Sequence, residues 1–204
     1  MLAIFDMDGT LANSSIVLAN SINYVRAKLD LEPLDKDLII EQINNPNCDL
    51  ARFFYNLDRI EPIHEEWFKE YYSAHHDINL ELFEGIEDML VQLKSNNIKL
   101  AVATNAYRDS TILALKHLKI YDYFDFIICY DDVDEGKPSP KMLLKLLELA
   151  KERRENSIFI GDSQRDYLAG KAANIEFILV DFVNKKDNPL DIAKKIEEYF
   201  ALKR

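Results

Sequence analysis

Five short apolar runs punctuate the chain, at residues 2–5, 99–103, 124–129, 157–160 and 175–180. Each is rich in Ile, Val, Leu or Phe and gives way to polar residues, as strands buried on both faces of a parallel sheet do. Between the runs, apolar residues recur with helical spacing. Ile86, Met89, Leu90 and Leu93 form one such set, Leu143, Leu146, Leu147 and Ala150 a second, and Ala193, Ile196 and Phe200 a third. Strand alternating with helix predicts an α/β fold, a doubly wound parallel-sheet (Rossmann-like) core with right-handed crossovers.

The gap between the first and second runs is too long for one crossover helix. It carries stripes of its own: Leu18, Ile22, Val25 and Leu29; Leu50, Phe53, Phe54 and Leu57; Ile63, Trp67 and Tyr71. Pro33, Pro46 and Pro62 separate them. The expectation is an inserted all-helical domain over residues 14–82, without strands, joined by short hinges near 12–15 and 82–85. Residues 1–13 and 83–204 then form the core domain.

Composition narrows the partners. The 204 residues carry a formal net charge of -11, which argues against nonspecific binding to nucleic acid or anionic membrane. No apolar run approaches the length of a membrane span. Asp6 interrupts the first run too early for a signal peptide, so a cytoplasmic location is expected. Cys48 and Cys129 have no CxxC spacing and suggest two reduced thiols.

The polar residues that end the runs hold the candidate chemistry. The first run leads into Asp6-Met7-Asp8-Gly9-Thr10-Leu11. In an extended chain, residues i and i+2 share a side, so Asp6 and Asp8 can converge, and Gly9 lets the backbone turn away. Two hard oxygen groups so close suit Mg²⁺; a simple Asp-Gly turn would leave the same pattern. The second run ends in Thr104-Asn105, whose hydroxyl and main-chain N–H groups could hold phosphate oxygens or cap a helix. After the third comes Gly136-Lys137-Pro138-Ser139-Pro140, a stiff turn carrying Lys137, with Ser139 before Pro140 as a helix start. The fourth ends in Gly161-Asp162-Ser163-Gln164-Arg165-Asp166, where Asp162 and Asp166 could face one ion or complement a helix N-terminus. Ligands of open α/β sheets bind at the C-terminal ends of strands, where all four features fall.

These four motifs, in this order, resemble the haloacid dehalogenase superfamily of aspartate-nucleophile hydrolases. Residues 169–174 add a likeness to its phosphoglycolate-phosphatase-like branch, and the insertion sits where that family carries a helical cap. The resemblance implies a phosphatase acting on a small phosphorylated metabolite with Mg²⁺ as cofactor. It makes Asp6 the nucleophile and a metal ligand, and Asp8 the general acid/base with its main-chain carbonyl on the metal. Thr104, Asn105 and Lys137 would bind the transferring phosphoryl group. Asp162 would ligate Mg²⁺, and Asp166 would support it. A sugar phosphomutase with the same nucleophile, or a non-catalytic phospholigand-binding member, would carry the same motifs. The cap would close over the site and select the substrate. Asn13 stands where many relatives carry Asp, and Asn174 where glycine is usual; Asn tolerates the left-handed conformation required there.

The remaining polar features are expected to be structural. His75 and His76 point to different sides of a helix and suit a solvated end. His64 and His117 fall on polar faces, and residues 151–155 read as a solvated, mixed-charge helix end.

Overall fold

The structure, a computed structural model, describes residues 1–203. The strands in chain order are β1 (Leu2–Phe5), β2 (Ala12–Asn13), β3 (Glu81–Leu82), β4 (Lys99–Ala103), β5 (Phe126–Ile128), β6 (Ser157–Gly161) and β7 (Glu176–Leu179). Five of them form a parallel sheet of order β5-β4-β1-β6-β7. These are the five apolar runs, and the first is central. Strand order reverses beside β1, so a crevice opens at its C-terminal end. Phe5 pairs with Val102 on one side and with Ile160 on the other. The Asp6 N–H continues the ladder to the Ile160 carbonyl at 2.9 Å. Asp6 therefore leaves the sheet from its central strand, which is paired on both sides.

The chain separates into two compact units, Met1–Asn13 with Glu81–Arg204, and Ser14–Leu80. Glu81 and Leu82 fall in the first because they pair antiparallel with Asn13 and Ala12. The expected hinges are thus a two-stranded ribbon, too short to give a periodic signal.

The Ser14–Leu80 unit holds α1 (Ser15–Lys28), α2 (Lys36–Asn44), α3 (Leu50–Tyr55) and α4 (Pro62–Asn79). Its core gathers Ala19, Ile22 and Val25 of α1, Ile39 of α2, and Phe54 and Tyr55 of α3. Two of the expected stripes hold in part, with Leu50, Phe54, Leu57 and Trp67 packed in this core. Phe53 and Ile63 are exposed, while Tyr55, His64, Tyr72 and His76 are buried. Aromatic and His side chains occupy places that aliphatic spacing would assign one position away. His64 is not on a polar face; its Nδ1 accepts the Glu61 N–H at 3.0 Å and caps α4. His76 is buried too, with Nδ1 3.1 Å from the Ser73 carbonyl, so the end of α4 is not simply solvated. Arg26 is buried among main-chain acceptors: its Nε meets the Glu32 carbonyl at 2.7 Å, and its Nη1 meets the carbonyl of Phe54. One guanidinium thereby ties α1 to the loop after it and to α3.

Around the sheet lie α5 (Ile86–Ser95), α6 (Arg108–His117), α7 (Lys141–Ala150), α8 (Gln164–Ala173) and α9 (Pro189–Ala201). The three expected stripes are the buried faces of α5, α7 and α9. α7 packs with α8, and α5 with α9. α6 has no aliphatic stripe, since it buries Ser110, Thr111, Ala114 and Leu115. Ser139 does not cap α7: Pro140 holds the N-cap position without a side-chain bond, and the Ser139 N–H turns back to the Gly136 carbonyl at 3.0 Å. Glu152 is not left to solvent, because Lys99 of β4 donates to it at 3.2 Å. Asn174 adopts the left-handed conformation at the end of α8. No described helix is long and apolar enough to cross a membrane.

Candidate active site

Asp6 follows β1 and is almost fully buried. A tight turn follows, with the Leu11 N–H on the Met7 carbonyl at 2.9 Å and the Gly9 N–H on the Ala12 carbonyl at 2.9 Å. Gly9 has φ +87°, and a Cβ there would lie 2.2 Å from Oδ2 of Asp162. Glycine is needed twice over, for the backbone conformation and for the space that the Asp162 carboxylate fills. Thr10 is wholly buried and donates to Asp162 Oδ1 at 3.3 Å. The turn after β1 therefore shapes the acid at the end of β6.

Asp166, on the first turn of α8, is buried against the same strand end. Its Oδ2 accepts the Ser163 N–H at 3.1 Å and also the Ser163 hydroxyl. Its Oδ1 lies 2.6 Å from Lys137 Nζ. The Ser163-x-x-Asp166 spacing is that of a capping box, the sequence signal for this fixed carboxylate. Lys137 comes from the loop between β5 and α7 and is only 4% exposed. Its ammonium bonds Asp6 Oδ1 and donates to the Ala103 carbonyl at 2.9 Å. One buried cation thus joins the ends of three strands.

Thr104 follows β4 directly, buried, and its Oγ1 accepts the Ala106 N–H at 3.1 Å, leaving the hydroxyl proton to donate elsewhere. Asn105 is exposed, yet both polar atoms of its amide are engaged. Oδ1 accepts the Lys137 N–H at 2.8 Å, and Nδ2 donates to the Lys137 carbonyl at 2.9 Å. Of the seven sequence-selected positions, Asp6, Asp162, Asp166 and Lys137 form one connected cluster, with Asp8, Thr104 and Asn105 on the loops that frame it. Thr10 and Ser163 belong to it as well, although only their motifs were singled out.

The electrostatics follow from burial. Desolvation raises the Asp6 carboxyl well above the usual range; Lys137 opposes this, while Asp166, Asp162 and Asp8 add to it. Asp162 is pushed up to about 7, first by burial and then by Asp166, against the pull of Lys137. Burial alone would lower the Lys137 ammonium, but Asp166 and Asp6 outweigh it and hold it above its ordinary value. Negative charge is in excess here. One ligand oxygen from each of Asp6, Asp162 and Asp166 lies within 4.8 Å of the others. Carboxylate oxygens alone, clustered and short of positive charge, fit a hard divalent cation.

A parallel sheet with acids and a lysine gathered at the C-terminal ends of its strands defines a class, that of doubly wound α/β proteins with a site at the switch point. The family model for haloacid dehalogenase-like hydrolases matches residues 3–180, and the chain belongs to that family, on its phosphatase side. It is 31% identical over 176 residues to the phosphoglycolate phosphatase of Aquifex aeolicus, covering 86% of this chain and 82% of that one. It is 28% identical over 183 residues to the pyrophosphatase PpaX of Halalkalibacterium halodurans, covering 88% and 82%. Among solved structures, a predicted phosphatase from Clostridium acetobutylicum has the same fold, with a TM-score of 0.82 at 24% identity over 97% of this chain and 98% of that one.

Proposed function

We propose that the protein is a Mg²⁺-dependent phosphatase that hydrolyses small phosphate monoesters through an aspartyl-phosphate on Asp6. The observation that carries this reading is the cluster in which Lys137 bridges Asp6 and Asp166 while Asp162 lies beside them. Asp6 and Asp162, with the main-chain carbonyl of Asp8, are the proposed ligands of Mg²⁺, and Asp166 supports them. The bound ion supplies positive charge against the phosphoryl oxygens.

The residues of the chain do the rest. An Asp6 oxygen attacks phosphorus as the bond to the leaving oxygen breaks, and Asp8 gives that oxygen its proton. Water then attacks phosphorus, Asp8 takes its proton, and the bond to Asp6 breaks to release phosphate. Lys137, the Thr104 hydroxyl and the main-chain N–H of Asn105 hold the phosphoryl oxygens throughout. All of these groups belong to one unit, so recognition of the leaving group falls to the helical unit, residues 14–82 by the sequence boundaries, acting as a cap. A cytoplasmic location and a small-molecule substrate complete the proposal.

The names of the two curated relatives make 2-phosphoglycolate and inorganic pyrophosphate the first compounds to try. The test is phosphate release across a panel of small phosphate esters and pyrophosphate, with Mg²⁺, with Ca²⁺ and in excess chelator. Turnover with Mg²⁺, little with Ca²⁺ and none in chelator is expected, because Ca²⁺ takes more ligands at longer distances. Full activity in chelator would sink the metal-dependent mechanism.

A further inference from the structure

Sequence position makes Asn105 look like a direct phosphate ligand, but its side chain is turned elsewhere. Both polar atoms of the amide close on the main chain of Lys137, accepting from its N–H and donating to its carbonyl. The two residues are 32 positions apart and lie on the loops after β4 and β5. A second observation concerns the residue before the lysine. A Cβ on Gly136 would stand 2.7 Å from Asn105 Oδ1 and 2.9 Å from the Tyr130 ring. The Asn105 amide therefore occupies the space that a side chain at position 136 would take. The adjoining loops are joined once more by the Tyr130 N–H on the Ala106 carbonyl at 3.0 Å.

We infer that the Asn105 side chain is a positioning residue that acts through Lys137, and that it does not itself grip the phosphoryl group. This rests on the phosphatase reading of the site. Lys137 reaches Asp6 and Asp166 from a loop, and the reach of an ammonium depends on where its own backbone is pinned. A two-point amide bond fixes both the position and the tilt of that peptide. Asparagine alone among short side chains offers a donor and an acceptor side by side for this purpose.

The test is a double-mutant cycle read on hydrolysis of a chromogenic phosphate ester with Mg²⁺, joined to amide hydrogen exchange at Lys137. Asn105→Ala keeps the main-chain N–H and removes only the clamp. Misplacing a charge-stabilising group by about 1 Å costs on the order of 10²-fold in rate, which is the fall expected for Asn105→Ala. Added to Lys137→Ala, the same change should cost nothing further, because the group it positions is gone. Independent, multiplying losses would overturn the inference and return Asn105 to direct phosphate contact. In the exchange experiment, Asn105→Ala should speed exchange at Lys137 about tenfold, equivalent to about 1.4 kcal/mol, with global stability lowered by no more than that amount. Unchanged exchange at Lys137 would also overturn it. If the parent hydrolyses no phosphate compound, the phosphatase reading fails, while the exchange result still decides whether the clamp exists.

Discussion

The helical unit and the strand-end cluster of the α/β unit bury polar groups differently. In the helical unit, Ser21 donates to the Val17 carbonyl, Arg26 to the carbonyls of Glu32 and Phe54, and His64 accepts the N–H of Glu61. Each of these buried side chains completes main-chain hydrogen bonding. In the α/β unit some do the same, as Thr111 and Ser157 do, but at the strand ends polar side chains meet one another: Thr10 with Asp162, Ser163 with Asp166, and Lys137 with both Asp6 and Asp166. A polar group that satisfies the backbone lowers the energy of the fold. Carboxylates packed together without enough positive charge raise it. Burial that works against stability in this way is what marks the α/β cluster as a site.

That contrast can be tested from its strongest side first. Asp6→Asn should remove turnover by on the order of 10⁴-fold or more while the protein stays folded, since the change keeps shape and deletes the nucleophile. Substantial Mg²⁺-dependent activity in the purified variant would end the covalent mechanism. Lys137→Ala should cost on the order of 10²-fold in kcat, the scale of losing one preorganised charge-stabilising donor. Kinetics equal to the parent would make Lys137 a purely architectural cation, like Arg26. Arg26→Met should act the other way round. It strands two carbonyls and should cost about 3 kcal/mol of stability, read by urea unfolding, with the metal requirement of turnover unaltered. A loss of metal dependence there would erase the distinction between the units.

The smallest effect concerns pH. Asp162 titrates near 7 in the folded protein, against an ordinary value of 3.8. A raised carboxyl pKa favours folding while the group is protonated in both states, and that contribution is lost as pH climbs from about 4 through about 7. Asp6 moves in the same direction. The metal-free protein should therefore melt lower at pH 8 than at pH 5 as far as these acids decide. Mg²⁺ should raise the melting temperature more at pH 8, where the carboxylates are ionised. An equal shift at both pH values would show that these acids do not bind the ion.

The parts of this picture that were legible in the sequence are those written locally. The sheet was visible because each strand lies in a short, predominantly apolar run, and α5, α7 and α9 because each buries one aliphatic face. Asp6 and Asp162 could be picked out because each follows a strand directly, and Lys137 and Asp166 because their stiff turn and their helix start come next after a strand. α6 left no trace, since small and hydroxyl side chains fill its buried face. α2 was passed over although Asp35 caps it, accepting the Asp37 N–H at 2.9 Å, with Ile39 its single buried residue. The clamp between Asn105 and Lys137 could not be foreseen, because it depends on which loops the sheet order brings side by side.

The ribbon of β2 and β3 has a further consequence. Asn13 and Glu81 stand opposite each other, so whatever the chain encodes between them must leave and return through one doorway. For such an excursion the entropy of closing the loop is nearly indifferent to its length; each doubling costs only about 0.6 kcal/mol. The doorway also belongs to the unit that carries the acid–lysine cluster, not to the insert. Evolution can therefore shorten, lengthen or exchange the intervening module while the acid–lysine cluster is inherited intact. A chimaera carrying a foreign helical module spliced between Asn13 and Glu81 is the laboratory form of that same inheritance.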